Sequence, residues 1–474
     1  MFIRATSVQS FFRNIPNPVY VAIVLAVAIQ MVAWIFLLPG VDVSVHIAGD
    51  GAGYHTLAEN ISQDKGFGLE VNGEGFVYEA FRTPGLPFIL SLFMRLGYDV
   101  TMYLLVTSLL AAVCIPLCTW YIAQKLFTKE VGILSAFLVA LEPLLIIHGW
   151  VLLTEIPFLI TMLIGVCFLI RSVENKDMRS YNALCAGGAL AASIYIRPAA
   201  LLLLVVSFVC VLLYYFTISK KVLWQFVFVG GVIILLLTPW YVRTHELTGV
   251  YALSGTGWRN VYTDYLASVR ALNKGTRFID EKNALKRFAV EQFGITRSEI
   301  NSPAQSELLK SYALPEILAN KKTVVKIQAI LFVSYFTHSD YQRRLQKFGI
   351  LPLNKIEQGR KSSSLLLINQ GIDGIPGVYL EMKNRYFIPI FERVWTSALF
   401  VSAIVGFFTL RTPMRFLFAI LILLGYLTAS AIGLGVEGRL RIPVLPFYFM
   451  LASCGMLFLH SKLRTLIFEK LWKK

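Results

Sequence analysis

Carboxylates and guanidiniums recur in this sequence at the ends of long apolar runs, where ionisable groups are costly to place. Asp50 stands in "HIAGDGAGYHTLAENI" (46–61), directly after one such run, and Glu79 and Arg82 follow in "VYEAFRTPGLPF" (77–88). Glu142 and Glu155 bracket "EPLLIIHGWVLLTE", Arg197 ends a run before Pro198, Arg243 and His245 follow "PWY", and Arg439 and Arg441 precede "IPVLP". A carboxylate in such a place can take a proton from a hydroxyl, and a guanidinium matches phosphate oxygens in bidentate fashion. Two or three carboxylates and several arginines facing one outer site suit a base acting beside a phosphate leaving group. Each residue also has a plainer reading. Asp50 can be the N-cap of the helix it precedes, and the arginines can anchor or snorkel at a membrane interface. Gly49, Gly51 and Gly53 around Asp50 weaken the cap reading slightly, because they suggest a close backbone approach by something else.

The elements that must position these groups follow from composition. The chain is 56% hydrophobic and only 15% charged over 474 residues, with a mean hydropathy of +0.65. A soluble protein cannot hide that much apolar surface, so the class is an all-α polytopic membrane protein. Arg4 and Arg13 precede the apolar run from about Tyr20 to Leu38, which reads as an uncleaved signal-anchor. Apolar runs predict about ten spans, near 20–39, 102–123, 131–149, 152–171, 181–197, 199–218, 222–241, 396–410, 414–433 and 441–460. "PGLPFILSLFMRLG" (84–97) is too short and too punctuated by proline and glycine to span, and is expected to be re-entrant or surface-lying. With that choice the basic loops 124–130, 171–179, 219–221 and 411–415 and the basic tail all lie on the N-terminal side, as the positive-inside rule requires.

Three regions then face the other side: 40–101, about 242–395, and 433–441. In the first, Tyr54, Leu57, Ala58 and Ile61 repeat at helical spacing and predict an amphipathic helix behind Asp50. The long second region mixes charged stretches such as "RFIDEKNALKRF" with apolar ones such as "IQAILFVSYF", which predicts helices hugging the membrane. The organisation expected is a transmembrane catalytic module over 1–241 including loop 40–101, a helical periplasmic or membrane-surface segment over 242–395, and C-terminal spans with a basic tail over 396–474.

The formal charge of +16 is spread along loops and tails, so no nucleic-acid partner is expected. The six cysteines lie in apolar segments without a Cys-x-x-Cys pair, which implies neither disulfides nor zinc. No Asp-x-Asp motif on a soluble α/β pattern and no Gly-Lys-Ser/Thr phosphate loop marks a nucleotide-sugar site.

The spacing Asp50, Tyr54, Ala58 soon after the first span resembles the polyprenyl-phosphate-sugar-dependent GT-C glycosyltransferases, the superfamily of protein O-mannosyltransferases and aminoarabinose transferases. "FRTPGLPFILSLFMRLG" (81–97) is similar to that family's Arg/Lys-x-Pro segment, and "LEPLLIIHGWVLLTEIPF" (141–158) to its second acidic region. "ASIYIRPAALLLL" (192–204) resembles its span ending in Arg-Pro, "TPWYVRTHELTG" (238–249) its Pro-Trp turn, and "GRLRIPVLPF" (438–447) its C-terminal end. The resemblance covers roughly residues 20–260 in order. It implies a GT-C-like bundle and an inverting transfer of a sugar from a polyprenyl-phosphate donor to an acceptor hydroxyl on the periplasmic side. Asp50 would be the base or acceptor-orienting carboxylate with Glu155 beside it, and Tyr54, Arg82, Arg197, Arg243, Arg439 and Arg441 would bind donor and phosphate.

The sequence departs from that pattern in two places. Many relatives carry Asp-Glu in the first loop where this chain has Asp50-Gly51, and the lysine of some relatives is Arg82 here. Some relatives bind a divalent metal, for which Glu79, Glu155 and His245 are the candidate ligands. The acceptor class (glycan, lipid or protein) stays open, and a bacterial inner membrane is the expected location. A transporter or lipid flippase is the main alternative, although no internal repeat is visible and the charges gather at one face. A polymerase or ligase of lipid-linked glycans is the other.

Overall fold

The structure, a computed structural model, describes residues 14–71, 75–175, 181–202, 220–337, 341–351, 387–435 and 438–472. The expected span 199–218 lies largely outside these residues. In chain order the elements run as follows. Helix α1 (Asn17–Val32) continues through a wider turn to Leu37, and a short α2 (Val43–His46) precedes α3 (Asp50–Ser62). Strands β1 (Gly68–Val71) and β2 (Gly75–Tyr78) pair antiparallel with Gly68 opposite Tyr78. Then come α4 (Gly85–Arg95), α5 (Val100–Leu126), α6 (Lys129–Ala140), α7 (Pro143–His148), α8 (Glu155–Asn175), α9 (Tyr181–Ile196) and α10 (Lys220–Thr248). The segment beyond holds α11 (Thr256–Asn260), α12 (Leu266–Lys274), α13 (Phe278–Phe293), α14 (Ser306–Ala319), α15 (Lys321–Thr337) and α16 (Tyr341–Lys347). Helices α17 (Phe387–Thr409), α18 (Thr412–Ser430) and α19 (Leu445–Trp472) close the chain.

Among the described residues, five helical stretches are long and apolar enough to cross a membrane: 17–37, 100–126, 155–174, 222–248 and 438–465. Apolar helices also cover the expected spans near 181–197, 396–410 and 414–433: α9 has 16 residues, α17 has 23 and α18 has 19. The expected span 131–149 is not one helix. It breaks into α6 and α7 because Glu142 turns its carboxylate onto the backbone N–H of Leu144 (3.3 Å) as an N-cap, with Pro143 at the first helical position. Helix α4 has 11 residues and so reaches roughly 16 Å, about half a hydrocarbon core.

Helix α3 buries Leu57 and Ala58 completely, and its apolar face packs with Leu86 and Leu90 of α4, with Tyr103 of α5, and with Leu152. The region after α10 does more than lie on a surface. Tyr262, Leu266, Val269, Leu285, Leu309, Ala313 and Ile327 build a core of their own. Near the C-terminus α17 and α19 meet backbone to backbone: a Cβ on Gly455 would fall 1.8 Å from the Ser402 carbonyl oxygen. Such small-residue contacts let apolar helices pack closely without a water-driven force between them. Of the cysteines, Cys114, Cys118, Cys167, Cys185 and Cys454 are free, and Cys210 lies outside the described residues.

Candidate active site

Two helix starts, one helix end and one short turn converge on a single place. Asp50 is the first residue of α3 and not its cap: Gly49 takes the cap position at a φ of 70°, which a side chain would resist. Next to it, a Cβ on Gly51 would stand 2.8 Å from the carbonyl oxygen of Leu152, so α3 rests its backbone on the strand of chain leading into α8. The Leu152 N–H donates to the His46 carbonyl (2.9 Å) and His46 Nδ1 meets the Trp150 carbonyl (2.7 Å), which fixes that chain beside the start of α3. Glu155 begins α8 three residues later. Two carboxylates therefore sit at two neighbouring helix N-termini, where the peptide dipoles favour negative charge.

The arginines arrive from elsewhere in the sequence. Arg197 follows the C-terminus of α9, which is held against the start of α4 by Thr83 and by the bare backbone of Gly85, 2.7 Å at a Cβ's position from the Tyr195 carbonyl oxygen. Its Nη1 pairs with Glu155 Oε1 at 3.0 Å and also donates to Thr154 Oγ1 at 3.3 Å. Arg439 comes from the 3₁₀ turn Gly438–Val444 and reaches both acids: Nη2 is 3.0 Å from Asp50 Oδ2, and Nε is 4.0 Å from Glu155 Oε1. The two carboxylates differ sharply in access. The side chain of Asp50 is 60% exposed and that of Glu155 only 3%. Asp50 can meet a substrate; Glu155 holds two guanidiniums in place.

Arg82 flanks this centre. It pairs with Glu79 at 3.1 Å, lies 5.5 Å from the centre of the Tyr54 ring, and would contact a Cβ on Gly53 at 2.7 Å. Gly51 and Gly53 thus have separate reasons for lacking a side chain, one a backbone and one a guanidinium. Burial pushes the Tyr54 phenol up to about 12, with Arg82 opposing and Asp50 adding to the shift. Tyr54 is a neutral hydrogen-bond donor beside Asp50 at any physiological pH.

The remaining predicted residues sit apart from the centre. Arg243 spends Nη1 on the Glu79 carbonyl (3.0 Å) and Nη2 on the Phe67 carbonyl (3.3 Å), and its plane lies 4.6 Å from the Trp240 ring, so it ties α10 to the hairpin. Arg441 is buried and donates to the Tyr335 carbonyl at 2.9 Å. His245 stacks on Tyr251 at 4.1 Å. Glu79 accepts the N–H of Phe81 (2.6 Å) as well as Arg82. The three candidate metal ligands Glu79, Glu155 and His245 are thus engaged in separate places, and no group of three or more His, Cys, Asp or Glu side chains able to hold a metal occurs among the described residues.

Sequence reasoning missed Arg259. It lies 5.2 Å from the centre of the Phe81 ring, whose other neighbour is Arg82 at 5.3 Å, and pairs with Asp264 at 3.3 Å. The only signal was an arginine after Trp258 in a glycine-rich turn of a segment otherwise read as membrane-hugging.

Residues 82–242 match the sequence signature of the dolichyl-phosphate-mannose-protein mannosyltransferase family. No curated protein matches the chain. Among solved structures, the archaeal oligosaccharyltransferase AglB from Archaeoglobus fulgidus, in complex with an inhibitory peptide and a dolichol-phosphate, superposes with a TM-score of 0.51 at 12% identity over 96% of this chain and 51% of that one. The same organism's oligosaccharyltransferase tethered to an acceptor peptide superposes with a TM-score of 0.50 at 12% identity, over 94% and 50%. The chain spans about half the length of these structures, and at such identity the likeness is one of fold. The chain is therefore a multi-pass membrane protein with the GT-C fold of AglB, carrying the signature of the dolichyl-phosphate-mannose-protein mannosyltransferase family over residues 82–242.

Proposed function

We propose that this protein is an inverting membrane glycosyltransferase that moves a sugar from a polyprenyl-phosphate donor to an acceptor hydroxyl outside the cytoplasm. The observation that carries the reading is the exposed Asp50 carboxylate linked through Arg439 to the buried Glu155–Arg197 pair. Asp50 takes the proton of the acceptor hydroxyl as its oxygen forms a bond to the anomeric carbon. The bond from that carbon to the phosphate oxygen breaks on the opposite face, and the electron pair leaves with the polyprenyl phosphate. Arg197 and Arg439, pre-set by Glu155, stabilise the charge developing there, which is the kind of fixed electrostatic complement that lowers such a barrier most. Arg82 and the Tyr54 hydroxyl stand ready to orient the donor. With guanidiniums on the leaving phosphate, no general acid is required, so one exposed carboxylate is enough. Gly51 stands where many relatives carry a second acid, and its bare backbone packs on the Leu152 carbonyl oxygen beside Asp50.

The test is incubation of the purified chain in lipid with a panel of polyprenyl-phosphate sugars, reading released polyprenyl phosphate and labelled product. Acceptor-dependent release is expected from the wild type and not from Asp50→Ala, with both proteins equally inserted. An Asp50→Ala variant that transfers sugar at the wild-type rate sinks the assignment.

A further inference from the structure

Beside the candidate active site lies a second charged group that the transfer chemistry does not use. Asp264, buried in the wider turn after α11, is held by Thr263 Oγ1 (2.6 Å), by Arg259 Nη1 (3.3 Å) and by the Lys282 ammonium. Lys286, one turn along α13 from Lys282, and Arg297 just beyond α13 lie in the same electrostatic neighbourhood. Arg259 and Lys282 contact the carboxylate of Asp264, and Lys286 and Arg297 add two further positive charges beside them. Lys286 and Arg297 have no carboxylate partner among the described residues. Glu299, the acid nearest Arg297 in sequence, accepts the Thr296 N–H at 2.7 Å. Arg259 spends its other hydrogen bonds on Asn301 Oδ1 (3.2 Å) and Asn260 Oδ1 (3.0 Å), neutral groups that orient it without discharging it.

Gathering like charges in a partly buried place is unfavourable. Burial lowers the Lys286 ammonium below the usual lysine range, and Arg259 and Lys282 add to the effect. Such a group is stabilised when an anion joins it. The cluster is continuous with the catalytic carboxylate, because Arg259 and Arg82 share the Phe81 ring and Arg82 in turn covers Tyr54, one helical turn from Asp50. Aromatic surface is also present: Trp258 stands next to Arg259, and Lys310, itself paired with Glu307 at 3.1 Å, lies 5.8 Å from its ring centre. Flat rings flanked by cations accept the apolar face of a saccharide together with an anionic substituent.

Resting on the glycosyltransferase reading, we infer that Arg259, Lys282, Lys286 and Arg297 form the acceptor subsite, and that it takes a saccharide carrying a phosphate group, with its hydroxyl directed at Asp50. The site assigned to the donor phosphate is the separate pair Arg197 and Arg439.

The test uses the full chain in nanodiscs and isothermal titration with glucose 6-phosphate, glucose, inorganic phosphate and polyprenyl phosphate. Glucose 6-phosphate is expected to bind at least tenfold tighter than glucose and more tightly than inorganic phosphate, with an advantage that shrinks as salt rises. Lys286→Gln and the exposed Arg297→Gln should each cut that advantage several-fold and leave the affinity for polyprenyl phosphate at its wild-type value. Arg297→Gln guards against a folding artefact, since its side chain lies outside any core. Equal binding of glucose and glucose 6-phosphate, or no measurable binding of either, overturns the inference. So does glucose 6-phosphate binding no tighter than inorganic phosphate, which marks a bare anion site. A loss of polyprenyl-phosphate affinity in either variant also overturns it, by assigning the cluster to the donor. Turnover of donor is read separately: Lys286-dependent sugar-phosphate binding without any donor consumption would sink the transferase reading and leave the anion subsite standing.

Discussion

Arg439 contacts Asp50 at 3.0 Å through Nη2 while its Nε approaches Glu155 at 4.0 Å, so one guanidinium joins the exposed carboxylate of the site to the buried one. The two acids are 105 positions apart and the arginine comes from the last transmembrane stretch, so this contact closes the site across almost the whole chain. In the proposed reaction a donor phosphate that draws Arg439 towards itself would free the Asp50 carboxylate for the acceptor hydroxyl.

Arg439→Lys should separate these roles. Lysine keeps the charge and loses the planar fork that reaches two groups at once. We expect the rate of sugar transfer to fall by roughly a hundred- to a thousandfold, in the range seen when one preorganised electrostatic contact is removed, with little change in thermal midpoint. A lysine variant with unaltered kcat and donor KM would falsify the bridging role.

Glu155 and Arg197 form a buried ion pair, and breaking such a pair from one side leaves an uncompensated charge. Glu155→Gln is expected to cost about 3–5 kcal/mol of stability along with activity. The double variant Glu155→Leu/Arg197→Met removes both charges and should recover most of the stability while staying inactive. Denaturation in mild detergent compared with turnover distinguishes the two effects; recovery of turnover in the double variant would argue against any part in catalysis.

Much of this arrangement was open to reading in the sequence, and the boundary is physical. Asp50 and Glu155 were legible because an acid before a helical pattern has few roles, and length, proline and glycine punctuation and loop charge together set α4 apart from the spans. Whether Asp50 or Gly49 caps α3 was not legible, because it turns on the contact of Gly51 with Leu152, a residue a hundred positions away. Arg439 and Arg441 are equivalent by spacing. One reaches Asp50 and the other a buried carbonyl of Tyr335 only because the 3₁₀ turn points them differently. The Glu142–Pro143 break was written in the sequence as a capping acid before proline, and the apolar run around it obscured the signal.

Tyr54 gives a pH test. Its folded value of about 12 lies above the ordinary phenol value of 10.0, burial being the main cause. The folded state therefore holds the proton more tightly than the unfolded one, and this contribution is intact below pH 10 and lost as pH rises towards 12. The wild type should lose thermal stability across that window more steeply than Tyr54→Phe. Parallel curves for the two proteins between pH 9 and 12 would place the phenol in water.

The two glycines flanking the first turn of α3 make opposite predictions from the same substitution. A Cβ on Gly51 meets the Leu152 carbonyl oxygen at 2.8 Å, a backbone atom tied down by its neighbours' hydrogen bonds to His46, so Gly51→Ala must lift α3 off the chain that leads to Glu155. Loss of stability and of activity together is expected, of the 1–3 kcal/mol order typical of overpacking, roughly. A Cβ on Gly53 meets only the Arg82 guanidinium at 2.7 Å, the far end of a flexible side chain that can swing away. Gly53→Ala should thus keep its thermal midpoint and raise the donor KM, because Arg82 leaves the Tyr54 ring and its place beside the site. Measuring melting and donor KM on both variants decides it: equal midpoints for the two would show that Gly51 does not seat Asp50, and an unchanged donor KM in Gly53→Ala would remove Arg82 from donor binding.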